Sequence, residues 1–215
     1  MLGIHDLALF VVSGLLLNLI PGPDSLLIMA RSASQGWRAG SAAALGIGTG
    51  TFVHIFAAAL GMSALLAASA TAFGAVKLIG AAYLLYVGFG LLVSRSAAKA
   101  AASAVAAQAP TVLSHAQIFR QGFLTNVLNP KVAIFFLAFV PQFIASDAPH
   151  KALAFIVLGC IFNFNGMLWC HLLAAVSAFA SARIRVGARA VRWLNRAVGA
   201  VFVSFGIKLA LSENH

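Results

Sequence analysis

The sequence holds very little charge, and acids are the scarcest: its 215 residues include four Asp and Glu, fourteen Lys and Arg, and 8% charged residues in all. A water-soluble domain of this length draws roughly a quarter of its residues from the charged set to cover its surface. That cover is missing here. With 62% hydrophobic residues and a mean hydropathy of +0.99, the chain needs lipid around it.

Cysteine is also scarce. Cys160 and Cys170 stand ten residues apart in one apolar run, about 15 Å along a helix, which is too far to bridge. The chain contains no CxxC, no HExxH and no GxxxxGK[ST]. Thiol redox chemistry, structural or hydrolytic zinc and ATP-driven action therefore lack their ligands, and no metal or cofactor is implied. No basic segment precedes the first apolar run, so that run reads as a first membrane segment rather than a cleaved signal peptide.

The net charge of +10 lies in short gaps between apolar runs. Nucleic-acid binding would need a basic folded face, whereas bases in short gaps are what cytoplasmic retention of Lys and Arg produces. Six stretches, 7–30, 40–67, 73–93, 119–144, 152–180 and 193–211, are each apolar over the roughly 20 residues of a membrane crossing. The predicted fold is an all-α integral membrane protein with six transmembrane helices, one transporter-like domain over 1–215. Its halves are 1–93 and 119–215, joined by a cytoplasmic linker, 94–118, that is rich in Ala, Ser and Gln and carries Arg95, Lys99, Pro110 and His115.

Alternate loops and their flanks collect Arg31, Arg38, Arg95, Lys99, Arg120, Arg183, Arg185, Arg189, Arg192 and Arg196 on one side, against Lys77, Lys151 and Lys208 on the other. The richer side is cytoplasmic by the positive-inside rule, which predicts both termini in the periplasm. Arg185, Arg189, Arg192 and Arg196 recur at helical spacing and suit anionic lipid headgroups. Gly46 and Gly50 form a GxxxG in the second stretch, which packing alone explains. Trp37 and Trp193 read as interfacial anchors, with Tyr83 deep enough to line a cavity.

The first stretch is interrupted by Asn18-Leu-Ile-Pro21-Gly22-Pro23-Asp24, and the fourth by Asn126-Val-Leu-Asn129-Pro130-Lys131. Proline lacks the N–H that the helical ladder needs, so helices 1 and 4 are predicted to break there. Gly22-Pro23-Asp24 and Asn129-Pro130-Lys131 are each a cap-like residue, a proline and a charge, 107 positions apart. Three helices per half makes the second half enter from the opposite side, so the architecture reads as an inverted 3+3 repeat with both breaks near the midplane.

Charges inside a membrane face internal cavities and meet a partner or a ligand. Two readings of Asp24 and Lys131 follow: a structural ion pair, or a site for a zwitterion. In the second, an ammonium meets Asp24 and Asn carbonyls, while a carboxylate meets Lys131 and half-helix amides. The substrate-binding candidates are Asn18, Pro21, Gly22, Pro23, Asp24, Asn126, Asn129, Pro130 and Lys131. Asp24, His54 and His171 are candidates for a proton relay, although either histidine fits equally well as an interhelical hydrogen bonder. Asn163 and Asn165 read as interhelical glue rather than ligands.

At these residues the chain resembles the lysine exporter and homoserine/threonine exporter (LysE/RhtB-type) family of bacterial amino-acid efflux proteins. The resemblance spans nearly the whole chain: Asn18 with Pro21-Gly22-Pro23-Asp24, the stretch from Gly36 to Gly50 with Gly61, then Gly122, Asn126, Asn129-Pro130-Lys131 and Pro141-Gln142-Phe143. It implies proton-driven antiport of amino acids out of the cytoplasm across the inner membrane. The scarcity of acids near the breaks favours neutral substrates, such as homoserine, threonine or leucine-like compounds, over dibasic ones. Two other classes stand beside this one: an intramembrane enzyme using Asp24, His54 or His171, and a passive channel for small zwitterions. The first lacks an activated nucleophile and the second a ring of polar residues. A homo-oligomer fits as readily as a monomer.

Overall fold

The structure is a computed structural model that describes residues 2–68, 112–145 and 147–179, together with isolated helical positions between 78 and 93 and between 193 and 211. The described chain is helical, with no strands beyond one isolated bridge, Ile4 to Ile144. Its helices are α1 (Leu7–Leu19), α2 (Pro23–Gln35), α3 (Trp37–Ala68), α4 (His115–Val127), α5 (Pro130–Ile134) and α6 (Lys151–Phe179). A π turn, Phe135–Phe139, and a 3₁₀ turn, Val140–Phe143, continue α5.

Local chemistry sets these limits. Pro21 has no N–H to offer Leu17, and α1 stops at Leu19. Extended Gly22 caps α2, which begins with Pro23, where the missing N–H costs nothing. Gly36, at φ +85°, closes α2 in a conformation that favours glycine. Ser114 and Gln117 cap one another's backbone in a capping box that starts α4. The Asn129 side chain accepts from Lys131 N–H at 3.0 Å and starts α5 on Pro130. Pro141 has no N–H for Leu137, and around it the ladder widens to a π turn and then tightens to 3₁₀.

Helix α3 packs against α2, α4 and α6, while α6 also packs against α1 and α2. Two elements are long and apolar enough to cross a bilayer, Trp37–Gly61 (25 residues) and Lys151–Phe179 (29 residues). Two helix pairs reach that length together: α1 with α2, bent by 53°, and α4 with the Pro130–Phe143 segment, bent by 47°. Large apolar side chains face outward, among them Leu60 (70% exposed), Leu128 (77%) and Phe179 (81%). An outward apolar surface of this kind belongs in lipid, so this is an integral membrane protein.

Inside, two apolar clusters lie on either side of a polar layer. The first joins Phe10, Leu17 and Ile20 to Ile55, Val132, Phe135, Phe139, Phe155 and Phe162. The second joins Leu27 and Ile28 to Ala43, Ile47, Ile118 and Ala174. The chain passes between the clusters through short polar stretches: Asp24 between Ile20 and Leu27, Thr51 and His54 between Ile47 and Ile55, Asn126 and Asn129 between Ile118 and Val132, Asn163 between Phe162 and Ala174. Residues 3–5 are tied to the end of the Pro130–Phe143 segment by His5 N–H to Phe143 O (3.1 Å) and Ala145 N–H to Gly3 O (2.8 Å).

One sequence boundary moves. Helix α4 begins at His115, so the last residues of the expected linker 94–118 are helical, because the Ser114 cap acts before the apolar run begins. The third and sixth apolar stretches, Tyr83 and Arg185, Arg189 and Arg192 lie wholly or largely outside the described residues. Arg196, Trp37 and Trp193 are exposed, and the Arg38 guanidinium sits over the Trp37 ring at 5.7 Å.

Candidate functional site

Asn126 is the hub of the polar layer, and at 1% exposure it has no water to fall back on. Its Nδ2 donates to Asp24 Oδ2 at 2.8 Å. Its Oδ1 lies 3.3 Å from Thr51 Oγ1, and its backbone carbonyl accepts from His54 Nε2 at 3.0 Å. Thr51 has one hydroxyl proton and also reaches the Ile47 carbonyl at 3.0 Å, so the amide receives a shared bond at most. The His54 ring is stacked on Phe136, 6.3 Å between centroids and 7° between planes. Four elements, α2, α3, α4 and the π turn, thus hold one bonded chain running Asp24–Asn126–His54.

Lys131 enters α5 at the helix start, where its charge opposes the helix dipole. Its ammonium reaches across to the end of α1 and donates to Leu17 O at 3.3 Å and Ile20 O at 3.2 Å. Leu17 O also accepts the Ile20 N–H at 3.2 Å, so the lysine adds a second donor there and supplies the one described donor to Ile20 O, at a helix end that lipid cannot satisfy. Asp24 and Lys131 influence each other electrostatically, yet no ion pair within 4.0 Å joins them among the described residues. Each charge instead bonds to the other pair's break: the acid of α2 to Asn126 of α4, the lysine of α5 to the carbonyls of α1.

Several polar atoms of the layer are buried without a hydrogen bond among the described residues: Asp24 Oδ1, Asn129 Nδ2 and Asn18 Nδ2. Asn129 approaches the Asp24 carboxylate closely enough to bias it but does not close a bond. Asn18 packs at Gly166 of α6, where a Cβ would lie 3.3 Å from its Nδ2. An ammonium has three donors, and Lys131 gives two to α1, leaving one. Buried polar groups left open in a native fold call for an explanation. The layer therefore presents one open carboxylate oxygen, two open amide donors and one ammonium N–H.

The other sequence candidates divide by place. Pro21, Pro23 and Pro130 are exposed and act by shaping the backbone, and Gly22 lies against the Lys131 ammonium. His171 Nδ1 donates to Met167 O at 3.1 Å, one turn back on its own helix, so its described bond does not enter the layer. Asn163 donates to Gly48 O at 3.2 Å and ties α6 to α3. Thr51 joins the hub without a sequence signal, since one threonine in a glycine-rich apolar run carries no pattern. Among the described residues no group of His, Cys, Asp or Glu is arranged to hold a metal ion.

The model of the LysE type translocator family matches residues 15–213 of the chain. An uncharacterised membrane protein of Pseudomonas aeruginosa is 37% identical over 209 residues, 97% of this chain and 96% of its own length. Proteins named leucine efflux protein in Salmonella typhimurium and Salmonella typhi are 28% identical over 212 residues, 99% of this chain and 98% of theirs. No solved structure matches. These relationships assign the chain to transport rather than to catalysis, and the intramembrane enzyme is set aside.

Proposed function

We infer that this chain, which belongs to the LysE type translocator family, exports neutral amino acids from the cytoplasm across the bacterial inner membrane in exchange for protons. The observation that carries this reading is the set of open valences in the polar layer. Asp24 Oδ1 is an acceptor for an ammonium; Asn129 Nδ2, Asn18 Nδ2 and the third Lys131 N–H are donors for a carboxylate. Together they complement an amino acid's zwitterion. Asp24 is the sole carboxylate of the layer among the described residues, which suits one ammonium and not two. A dibasic substrate would bring a second, uncompensated charge into a low-dielectric site.

The transport cycle follows from treating each bent pair as one broken span, α1–α2 in the first half and α4–α5 in the second, in an inverted 3+3 repeat with periplasmic termini. Their cross-bonding couples the two halves at the substrate site, and rocking of one half against the other would expose the layer to alternate sides. Asp24 and His54, bridged by Asn126, form the proton branch: binding a proton at the acid weakens its hold on the substrate ammonium, which links release to the proton gradient.

Reconstituted liposomes test the assignment. A panel of labelled neutral and dibasic amino acids is followed with and without an imposed pH gradient. Neutral substrates should move against their own gradient when the pH gradient is present, and Asp24→Asn should lower the rate by roughly 30-fold or more, the effect of leaving a buried partner unpaired. Gradient-independent equilibration would leave a passive channel. Preference for dibasic amino acids would overturn the substrate assignment.

A further inference from the structure

The end of α1 raises a separate question: what sits on its last carbonyls during transport, since the Ile20 N–H that Leu17 O accepts uses one of that oxygen's two lone pairs and leaves the other open. In transporters with broken helices, unwound carbonyls and half-helix C-termini coordinate the coupling cation, because the negative end of the helix dipole faces the break. Here Leu17 O and Ile20 O face the same position, and Lys131 Nζ lies 3.3 and 3.2 Å from them. The lysine comes from 111 residues beyond Ile20, out of the second half of the chain. Its own helix gives no reason for a cation at that place, since the start of a helix repels positive charge.

Space for the ammonium is provided by Gly22. A Cβ at Gly22 would lie 3.3 Å from Nζ and 3.7 Å from Cε, so any larger residue would press on the lysine tip. Asp24, two residues on, adds electrostatic attraction without closing an ion pair. A helix C-terminus, a glycine that clears the approach and a nearby acid together make a seat for one positive charge.

We propose that the carbonyls of Leu17 and Ile20 form a monovalent-cation seat which this chain fills permanently with its own Lys131 ammonium, so that transport requires no sodium. The N···O spacings of 3.2 and 3.3 Å lie at the long end for a hydrogen-bonded ammonium, and a small alkylammonium, with the same donors, is the natural replacement when the lysine is removed. Lys131 thereby acts as a positioning residue as well as a donor to substrate: it holds the end of α1 and the start of α5 together in every state of the cycle.

The proposal rests on the transporter reading only for its functional consequence, and the first test needs no transport. The purified full-length protein and its Lys131→Ala variant are unfolded thermally in choline, sodium and methylammonium chloride at equal ionic strength. Wild type should unfold at one temperature in all three salts. Lys131→Ala should unfold lower in choline and recover by about 3–5 °C in methylammonium at ten times its half-saturating concentration. No response of the variant, or an equal response of wild type, overturns the seat.

Lys131→Met keeps most of the side-chain packing without an N–H donor and provides the same measurement should Lys131→Ala not insert. In liposomes, wild-type amino-acid export should run at the same rate in sodium and in choline. A rate that rises several-fold with sodium overturns the proposal even if both variants fail to fold. Absence of any amino-acid movement would count against the transporter reading alone, because the unfolding measurement stands without it.

Discussion

Asn126 makes three connections from one residue, and they differ in strength for reasons visible in their geometry. The amide-to-Asp24 bond, at 2.8 Å, meets a carboxylate and is the kind of charge-assisted contact that cannot be replaced inside lipid. The Thr51 contact, at 3.3 Å, competes with the Ile47 carbonyl at 3.0 Å for a single proton. Asn126→Leu should therefore cost about 2 kcal/mol or more in the transport barrier, roughly 30-fold in initial rate. Thr51→Val, nearly isosteric, should cost less than about tenfold. Initial rates of amino-acid export from liposomes separate the two, and equal losses would remove Asn126 from the centre of the site. At this scale the sequence was informative about type and silent about pairing. Asp24 and Lys131 stand out as the charges inside broken apolar runs, yet composition cannot say that the lysine's partners are the carbonyls of Leu17 and Ile20, because every residue has a carbonyl and only the fold brings the ammonium to these two.

Among the helices, the same glycine residue type plays opposite parts. Gly122 of α4 faces the α3 backbone: an added Cβ would stand 3.1 Å from the Ala43 carbonyl carbon and 3.2 Å from its Cα, and closer still to its oxygen. Backbone cannot swing aside as a side chain can, so Gly122→Ala must push α3 and α4 apart. Overpacking of this kind costs about 1–3 kcal/mol, which corresponds to a fall of roughly 3–10 °C in unfolding temperature. Gly61, on the same α3 helix further along, has nothing within 4 Å of its would-be Cβ among the described residues. Gly61→Ala should leave the unfolding temperature unchanged or raise it by a few degrees, up to about 1 kcal/mol of helix propensity. Thermal unfolding in detergent reads both, and a destabilising Gly61→Ala would show that α3 bears a contact there. Helix starts at the breaks were legible for a related reason, since Gly22 before Pro23 and Asn129 before Pro130 are complete local signals, whereas the Ser114–Gln117 box lay inside the expected linker and was passed over. The π turn at Phe135–Phe139 was not legible, since its cause is one missing N–H at Pro141 acting several residues away.

For the whole molecule, the proposed inverted repeat makes a demand that the arrangement of charges already encodes. In that repeat the two bent pairs, which bond to each other through Asp24–Asn126 and Lys131–Leu17, would enter the membrane from opposite faces. An odd number of crossings in each half would produce that, and the excess of Arg in alternate loops would then put the connecting segment in the cytoplasm and both termini in the periplasm. Single-cysteine labelling tests the demand after Cys160 and Cys170 are replaced by Ser. A cysteine in place of His5, whose side chain is exposed, or of Ser212 should react with a membrane-impermeant maleimide in intact spheroplasts, and one in place of Ser103 only after permeabilisation. If positions 5 and 212 reacted from opposite sides, the number of crossings would be odd. The two halves could not then be mirror entries, and the cross-bonded breaks would need a different origin. If positions 5 and 212 reacted only after permeabilisation and position 103 reacted without it, the orientation would be reversed while the repeat survived, because the breaks depend on opposite entry and not on which face is cytoplasmic.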